Sequence, residues 1–264
     1  MTAQAYLGVM VACEREAAVV RRYMQPQQRQ VTAVGMLWQG NLLGHDAVLL
    51  RCGMGPEHAA HAMTWLVRSY RLWSVLSVGF AGGLQPAVAT GHVIVAEHIL
   101  AASAALTPVL TESITPDARL TQMAATAATQ AALVMHRGVL VSATEVLSQP
   151  AKEHLGRLSE ALAVDMETHS IGRVAVASHV PFTALRTIFD TRDNAVPLHT
   201  DRFTTPDGRL QPLRLVSYMV RQPHLLRQVP SLWRTTRVAE AHLARWLYHF
   251  LILLRLGEGG VKNS

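Results

Sequence analysis

The chain of 264 residues has little cysteine, since Cys13 and Cys52 are the only two. They form neither the closely spaced pairs of a zinc site nor the framework of a disulfide-rich secreted domain, which favours a reducing compartment such as the cytoplasm. The 13 histidines include no HxH or HxxxH pair, so no metal site is predicted. Residues 5–13 start directly in a strand pattern without a basic leader, and we expect no signal peptide.

An excess of positive charge is also absent from the first three quarters of the chain. Residues 1–201 carry 14 Lys and Arg against 15 Asp and Glu, whereas residues 202–264 carry 10 against 3. The net charge of +6 therefore arises in the C-terminal quarter. Such asymmetry is typical of a segment that meets an anionic surface, and a solvated basic face is the alternative.

Apolar runs alternate with helical patterns through the first two hundred residues. This alternation predicts an α/β domain with a mixed or largely parallel sheet covered by helices on both sides. We expect one domain over residues 1–200 and a basic, largely helical extension over 201–264. The predicted strands are Ala5–Cys13, Ala47–Cys52, Trp73–Val78, His92–Ile99, Gly138–Ser142 and Phe182–Phe189. The predicted helices are Glu57–Tyr70, Leu120–Leu133, Ala151–Ala161 and Glu167–His179.

Two glycine clusters follow predicted strands, at residues 51–56 and 79–84. The first precedes a helix, so backbone amides around Gly53 can approach an anion or a sugar hydroxyl without obstruction by side chains. It is not a dinucleotide fingerprint, because His58 stands where the third glycine would be. The second cluster is either another loop of close approach or a simple turn.

Two acids stand at opposite ends of one strand–helix–strand unit. Glu167 lies where an apolar run gives way to a helical pattern, and Asp190 ends the next apolar run. Strand ends of α/β folds converge on ligand sites, so both acids are candidates for one site. A helix N-terminal role for Glu167 and a capping role for Asp190 are the structural alternatives.

Three segments together resemble the nucleoside phosphorylase and nucleosidase superfamily over residues 5–194. They are CGMGPEHAA, SVGFAGGLQPAVATGHVIVAEHI and VDMETHSIGRVAVASHVPFTALRTIFDTRDN. The likeness is greatest to the methylthioadenosine/S-adenosylhomocysteine nucleosidases and, given the basic C-terminus, to the hopanoid-associated phosphorylases. It implies a three-layer αβα sandwich with a mixed central sheet, often homodimeric, that cleaves the bond between ribose and a base without a cofactor.

The resemblance also implies roles for individual residues. Glu167 corresponds to the glutamate that binds the ribose hydroxyls, with Met166 against the sugar. Asp190 corresponds to the aspartate that protonates N7 of the leaving purine, and Phe189 beside it would favour the protonated acid by excluding water. Glu16 corresponds to the glutamate that activates water, with Glu14 as a nearby competitor. The substrate-binding set is completed by Gly53, Phe80, Ala81 and Gly82.

Departures from the family pattern bear on the substrate. Phe80 and Phe189 stand where relatives have hydroxyl residues, which makes the site more apolar. Arg51 and Arg186 are the only candidates for binding phosphate that we identify, and Glu16 favours hydrolysis over phosphorolysis. The expected reaction is release of adenine from an adenosine derivative, most specifically adenosylhopane. The enzymatic alternatives are a phosphorylase that uses inorganic phosphate and a methylthioadenosine, S-adenosylhomocysteine or futalosine nucleosidase. The non-enzymatic alternative is a nucleoside-binding sensor or a membrane-docking protein.

The C-terminal extension bears on partners and location. Residues 238–256 form an amphipathic pattern that becomes wholly apolar near residues 250–254, too short to span a bilayer. With Trp233, Trp246 and Tyr248 at an interface, this helix would lie on an anionic membrane, while packing on the core or on a dimer partner is the alternative. We expect a cytoplasmic homodimer, peripheral to the inner face of the membrane, that binds a nucleoside and no nucleic acid.

Overall fold

The computed structural model describes residues 4–103, 113–193 and 229–259, with side chains of the last range described over 234–256. The strands are β1 (Tyr6–Val11), β2 (Met24–Thr32), β3 (Gly35–Leu42), β4 (His45–Arg51), β5 (Leu72–Gly83), β6 (Val93–Ala102), β7 (Met135–Ala143), β8 (Ala163–Asp165) and β9 (Phe182–Asp190). The helices are α1 (Glu14–Arg21), α2 (Pro56–Ser69), α3 (Ala118–Gln130), α4 (Gln149–Ser159), α5 (Thr168–Ala177) and α6 (Val229–Gly259).

One mixed sheet contains all nine of these strands, in the order β2-β3-β4-β1-β5-β8-β7-β6-β9. Strand β5 pairs in parallel with both β1 and β9, and β1 pairs in parallel with β4. The pairing of β5 with β9 closes half of the sheet on itself. Because parallel strands end at the same edge, the residues that follow β1, β4, β5 and β9 are brought together.

Helices cover both faces of the sheet, so the αβα layering is confirmed. The apolar residues of α1, α3 and α6 form one buried cluster with one face of the sheet. Those of α2 and α5 form a second cluster with the opposite face, and α4 packs on β7 and β8 in a third. Each helix thus buries one apolar face and leaves the other to solvent.

All six predicted strands and all four predicted helices of the first two hundred residues are present, with ends moved by a few residues. The sequence prediction missed β2, β3, β8 and α1. Strand β2 is a mostly exposed edge strand of polar residues, so it lacks the apolar run by which a strand is identified. Strand β8 has only three residues, and α1 has eight and begins with three charged ones.

The C-terminal helix α6 packs on the core. Its apolar residues lie against α3, α1 and the sheet, and Trp246 is fully buried with its indole N–H donating to the carbonyl of Ala124 at 2.8 Å. The expectation that Trp246 is available for an interface is therefore wrong, because its ring fills the space between α6 and α3. Tyr248 is 41% exposed. The side chain of Trp233 and the predicted boundary at residue 200 lie outside the described residues.

Within the described ranges, no helix has both the length and the apolarity required to cross a bilayer.

Replacing the buried indole tests how much α6 contributes to stability. Trp246→Ala leaves a cavity between α6 and α3, so we expect the free energy of unfolding to fall by about 3–5 kcal/mol in denaturant titrations. Tyr248→Ala, on the outer side of the same helix, is the matched control and should cost at most about 1 kcal/mol. Equal small losses for both variants would show that α6 is not part of the cooperative core.

Candidate active site

Glu16 lies where β1 passes into α1 and contacts the end of β5. Its Oε2 accepts from the backbone N–H of Ala12 at 2.8 Å and of Cys13 at 3.1 Å, so the side chain caps the helix that carries it. Its Oε1 accepts from the N–H of Phe80 at 2.9 Å. Glu16 is buried, and it ties β1 and α1 to the carboxyl end of β5.

Glu14, the competing acid, is engaged elsewhere. Its Oε2 lies 2.5 Å from Nη1 of the buried Arg51, and its Oε1 accepts from Arg21. Its side chain is about half exposed. The structure therefore places Glu16, and not Glu14, at the carboxyl end of β5.

Two glycines of the second cluster leave room for acidic side chains. A Cβ atom at Gly79 would lie 2.3 Å from Oε1 of Glu16 and 3.0 Å from Nη1 of Arg186. A Cβ atom at Gly82 would lie 2.9 Å from Oδ1 of Asp190 and 2.7 Å from Nζ of Lys152. Any side chain at these positions would displace the charged groups, so this part of β5 is more than a simple turn.

Glu167 is buried between two backbone amides. Its Oε1 accepts from the N–H of Gly55 at 2.7 Å, and its Oε2 from that of Met166 at 3.3 Å. Burial, with the nearby carboxylates of Asp165 and Glu16, raises the pKa of Glu167 to about 8, although the Gly55 amide opposes the shift. The Gly55 contact joins the first glycine cluster to this acid. The N–H of Gly53 donates instead to the carbonyl of Ala12.

A buried ion pair lies under these acids. Nε of Arg186 donates to Oδ2 of Asp165 at 2.7 Å, and Nη2 of Arg186 donates to Ser77 at 2.7 Å. Asp165 also accepts from the hydroxyls of Ser142, at 2.5 Å, and of Thr168. Sequence reasoning assigned no role to Asp165 and considered Arg186 only for phosphate. A charged residue inside the apolar run of β9 was the available signal, because a buried charge needs a partner.

Asp190 ends β9, on the same edge of the sheet. Its Oδ2 lies 2.7 Å from Nζ of Lys152, whose side chain is 3% exposed. Sequence reasoning missed this lysine and expected Phe189 to make the surroundings of Asp190 apolar. The rings of Phe189 and Phe80 do lie 6.0 Å apart, but the carboxyl group itself meets the ammonium of Lys152.

The remaining predicted residues lie beside these acids. Ala81 is buried in β5 and pairs with Ile188 of β9. Met166 is half-buried, between Asp165 and Glu167. Three acids from separate parts of the sequence thus approach one edge of the sheet, with glycines and two phenylalanines between them. The chemistry available there is proton transfer by carboxyl groups and hydrogen bonding to hydroxyls.

Two other features of the described residues do not contribute to this site. No group of three or more His, Cys, Asp and Glu side chains among them could hold a metal ion. A cleft of about 440 Å³ lies between α2, α5 and the start of β5, at the end of β5 opposite to the acids. Its lining includes Arg68, Arg71 and Tyr70, and none of the acids described above.

Comparisons with known proteins connect this geometry to a family. The sequence model of the family described as "Phosphorylase superfamily" matches residues 6–221. A 5'-methylthioadenosine/S-adenosylhomocysteine nucleosidase of Geobacillus thermodenitrificans is 28% identical over 195 residues, which cover 69% of this chain and 83% of that protein.

Solved structures show the same fold. The 5'-methylthioadenosine/S-adenosylhomocysteine nucleosidase of Neisseria meningitidis, in complex with methylthio-immucillin-A, matches with a TM-score of 0.70 at 20% identity and covers 94% of this chain and 99% of its own. The futalosine hydrolase of Helicobacter pylori matches with a TM-score of 0.68 at 17% identity over 92% of this chain and 97% of its own.

The raised pKa of Glu167 predicts how stability depends on pH. Between its ordinary value of 4.5 and about 8, the folded protein keeps a proton that the unfolded chain has lost. This group therefore makes the free energy of unfolding fall as pH rises through that window, and the loss is complete above it. In Glu167→Gln the fall should be smaller, as measured by denaturant titrations from pH 5 to 8.5. An unchanged slope would mean that Glu167 is ionised across the window; Glu57→Gln, at an exposed site on α2, is the control.

Proposed function

Because this chain belongs to the phosphorylase superfamily, we propose that it hydrolyses the N-glycosidic bond of an adenosine derivative and releases adenine. The observation that carries the proposal is the approach of Glu16, Glu167 and Asp190 to one edge of the sheet. The nucleosidase names of the relatives support the same reaction class.

In the proposed mechanism each acid has a separate task. Glu167 accepts hydrogen bonds from the ribose hydroxyls beside Met166. The bond between the anomeric carbon and N9 breaks, its electron pair leaves with the base, and the proton of Asp190 goes to N7. Water attacks the anomeric carbon and gives its proton to Glu16. A proton donor suits this reaction because negative charge develops on the departing base, and a proton acceptor suits it because the attacking water must lose a proton.

The arginines support hydrolysis over phosphorolysis. Arg51 is paired with Glu14, and Arg186 with Asp165 and Ser77. To bind phosphate, either guanidinium would have to exchange a buried or half-buried partner for the new anion. Phe80 offers only its backbone N–H at this point, and Glu16 already accepts it. Water needs neither arginine.

The finer proposal for the substrate is a 5'-lipid-linked adenosine such as adenosylhopane. Phe80 and Phe189 make one side of the site apolar, which suits a substituent more apolar than a methylthio group. The second candidate is a methylthioadenosine, S-adenosylhomocysteine or futalosine nucleosidase, which the names of the relatives favour.

Product analysis tests both the reaction and the substrate. The protein is incubated with adenosine, methylthioadenosine and a 5'-alkyladenosine, with and without phosphate, and the products are identified by mass spectrometry. We expect adenine and the free sugar as products, with the same yield whether or not phosphate is present. The release of adenine should be fastest from the 5'-alkyladenosine. Asp190→Asn should lower turnover by about 10²–10⁴-fold while affinity for the nucleoside is kept.

Each other outcome favours a named alternative. Strict dependence on phosphate would indicate a phosphorylase. Faster release of adenine from methylthioadenosine than from the 5'-alkyladenosine would contradict the proposal of a lipid-linked substrate. Binding without any release of adenine from wild-type protein would indicate a nucleoside sensor.

A lipid-linked substrate would place the protein, in the cytoplasm, against the inner face of the membrane. The outward side of α6 carries exposed Arg234, Arg245 and Tyr248, and its buried side is already packed on the core. Contact would therefore be electrostatic and shallow.

Flotation with vesicles tests this contact. The full chain should float with vesicles that contain phosphatidylserine and be released by about 0.5 M salt, because screening shortens the range of electrostatic attraction. Arg234→Glu with Arg245→Glu should reduce flotation, whereas Arg157→Glu on α4 should not. Equal flotation of both variants, or none for the wild type, would exclude contact through α6.

A further inference from the structure

Lys152 of α4 reaches the candidate acid, Asp190. Its Nζ lies 2.7 Å from Oδ2 of Asp190 and 3.4 Å from the carbonyl oxygen of Thr191. The lysine is 2% exposed, and the side chain of Asp190 is 15% exposed. The ammonium thus contacts both the carboxyl group of Asp190 and the backbone just after β9.

The stability of α4 does not account for a lysine at this position. Lys152 is in the first turn of α4, where the helix dipole disfavours a positive charge. Burying an ammonium costs further free energy unless a partner compensates for it. The chain also has only two lysines, at positions 152 and 262, among 24 basic residues. One of these two lysines thus lies buried beside Asp190.

The local backbone is shaped around this pair. A Cβ atom at Gly82 would lie 2.7 Å from Nζ of Lys152 and 2.9 Å from Oδ1 of Asp190. Gly82 also pairs with Asp190 across β5 and β9. The ammonium of Lys152 and the carboxyl group of Asp190 occupy the space that a side chain at position 82 would fill. Lys152 therefore contacts Oδ2 of Asp190, while Oδ1 lies beside Gly82.

We propose that Lys152 is a positioning residue for protonation of the departing base. It orients the carboxyl group of Asp190 and stabilises the negative charge that Asp190 acquires as its proton passes to the base. The bond from the sugar to the base breaks, the base takes the electron pair and the proton, and the new carboxylate remains beside the ammonium. A fixed charge aimed at developing charge lowers a barrier without reorganisation. The inference rests on the proposed function.

A purely structural role for Lys152, in which it only ties α4 to β9, predicts different kinetics. If the lysine acts through Asp190, its loss matters only when the leaving group needs a proton. Adenine needs one, whereas 4-nitrophenolate leaves without protonation. A structural role would slow both substrates alike, because the whole site would be disturbed.

The test compares Lys152→Met, Asp190→Asn and the double variant. With the adenosine derivative that gives most adenine, Lys152→Met should lower kcat by about 10–100-fold with little change in KM, and the double variant should be no slower than Asp190→Asn alone. With 4-nitrophenyl riboside, Lys152→Met should retain the wild-type rate. Arg157→Met, which removes an exposed positive charge from α4, should leave both rates unchanged.

If Lys152→Met does not fold, Lys152→Gln is used in its place, because the glutamine amide can still donate to Asp190. The kcat of Lys152→Gln should lie between those of the wild type and Asp190→Asn. Wild-type kcat in Lys152→Met, a loss that multiplies with that of Asp190→Asn, or equal slowing of both substrates would overturn the inference. Failure of the proposed function looks different, since the wild type itself would then release no adenine.

Discussion

The buried ion pair between Asp165 and Arg186 is the interaction on which the site depends. Asp165 ends β8, Arg186 lies in β9, and the hydroxyls of Ser77, Ser142 and Thr168 complete their hydrogen bonds from β5, β7 and α5. One charged pair therefore fixes four strands and a helix relative to each other. Removing either partner would leave an uncompensated charge in the core, at a cost of about 3–5 kcal/mol.

The same pair sets the charge balance among the acids. Burial by itself lowers the pKa of Arg186, but the carboxylates of Asp165 and Glu16 outweigh burial and raise it, so the guanidinium stays positive. The positive charge of Arg186 therefore interacts with three buried acids, Asp165, Glu16 and Glu167, and among these acids its hydrogen bond goes to Asp165. Glu167 receives too little compensation for its burial, so its pKa rises. The carboxyl groups of Glu167 and Asp190 thus differ in environment, since the ammonium of Lys152 lies beside Asp190.

The sequence predicts those parts of the fold and the site that depend on local pattern. Apolar runs located the central strands, and ordered motifs located Glu167 and Asp190 at strand ends. Strand β2 was not predicted, because an exposed edge strand needs no apolar face. The contacts of Lys152 with Asp190 and of Asp165 with Arg186 were not predicted, because no local sequence pattern links the two residues of either pair. These contacts arise only when β8 and β9 both pair with β5.

An irregularity in strand pairing explains why Glu16 and Asp190 both lie against one short stretch of β5, at Gly79 and Gly82. Gly79 pairs with Arg186, but the register shifts after Ala81, so that Gly82 pairs with Asp190 and Phe189 is the extra residue of β9. Such a bulge re-aims neighbouring side chains. It brings Asp190 level with a glycine instead of a residue that carries a side chain, and it leaves Phe189 to meet Phe80. Period-two alternation contains no signal for this shift, so the spacing of the acids follows from the pairing of β5 with β9 and not from either strand alone.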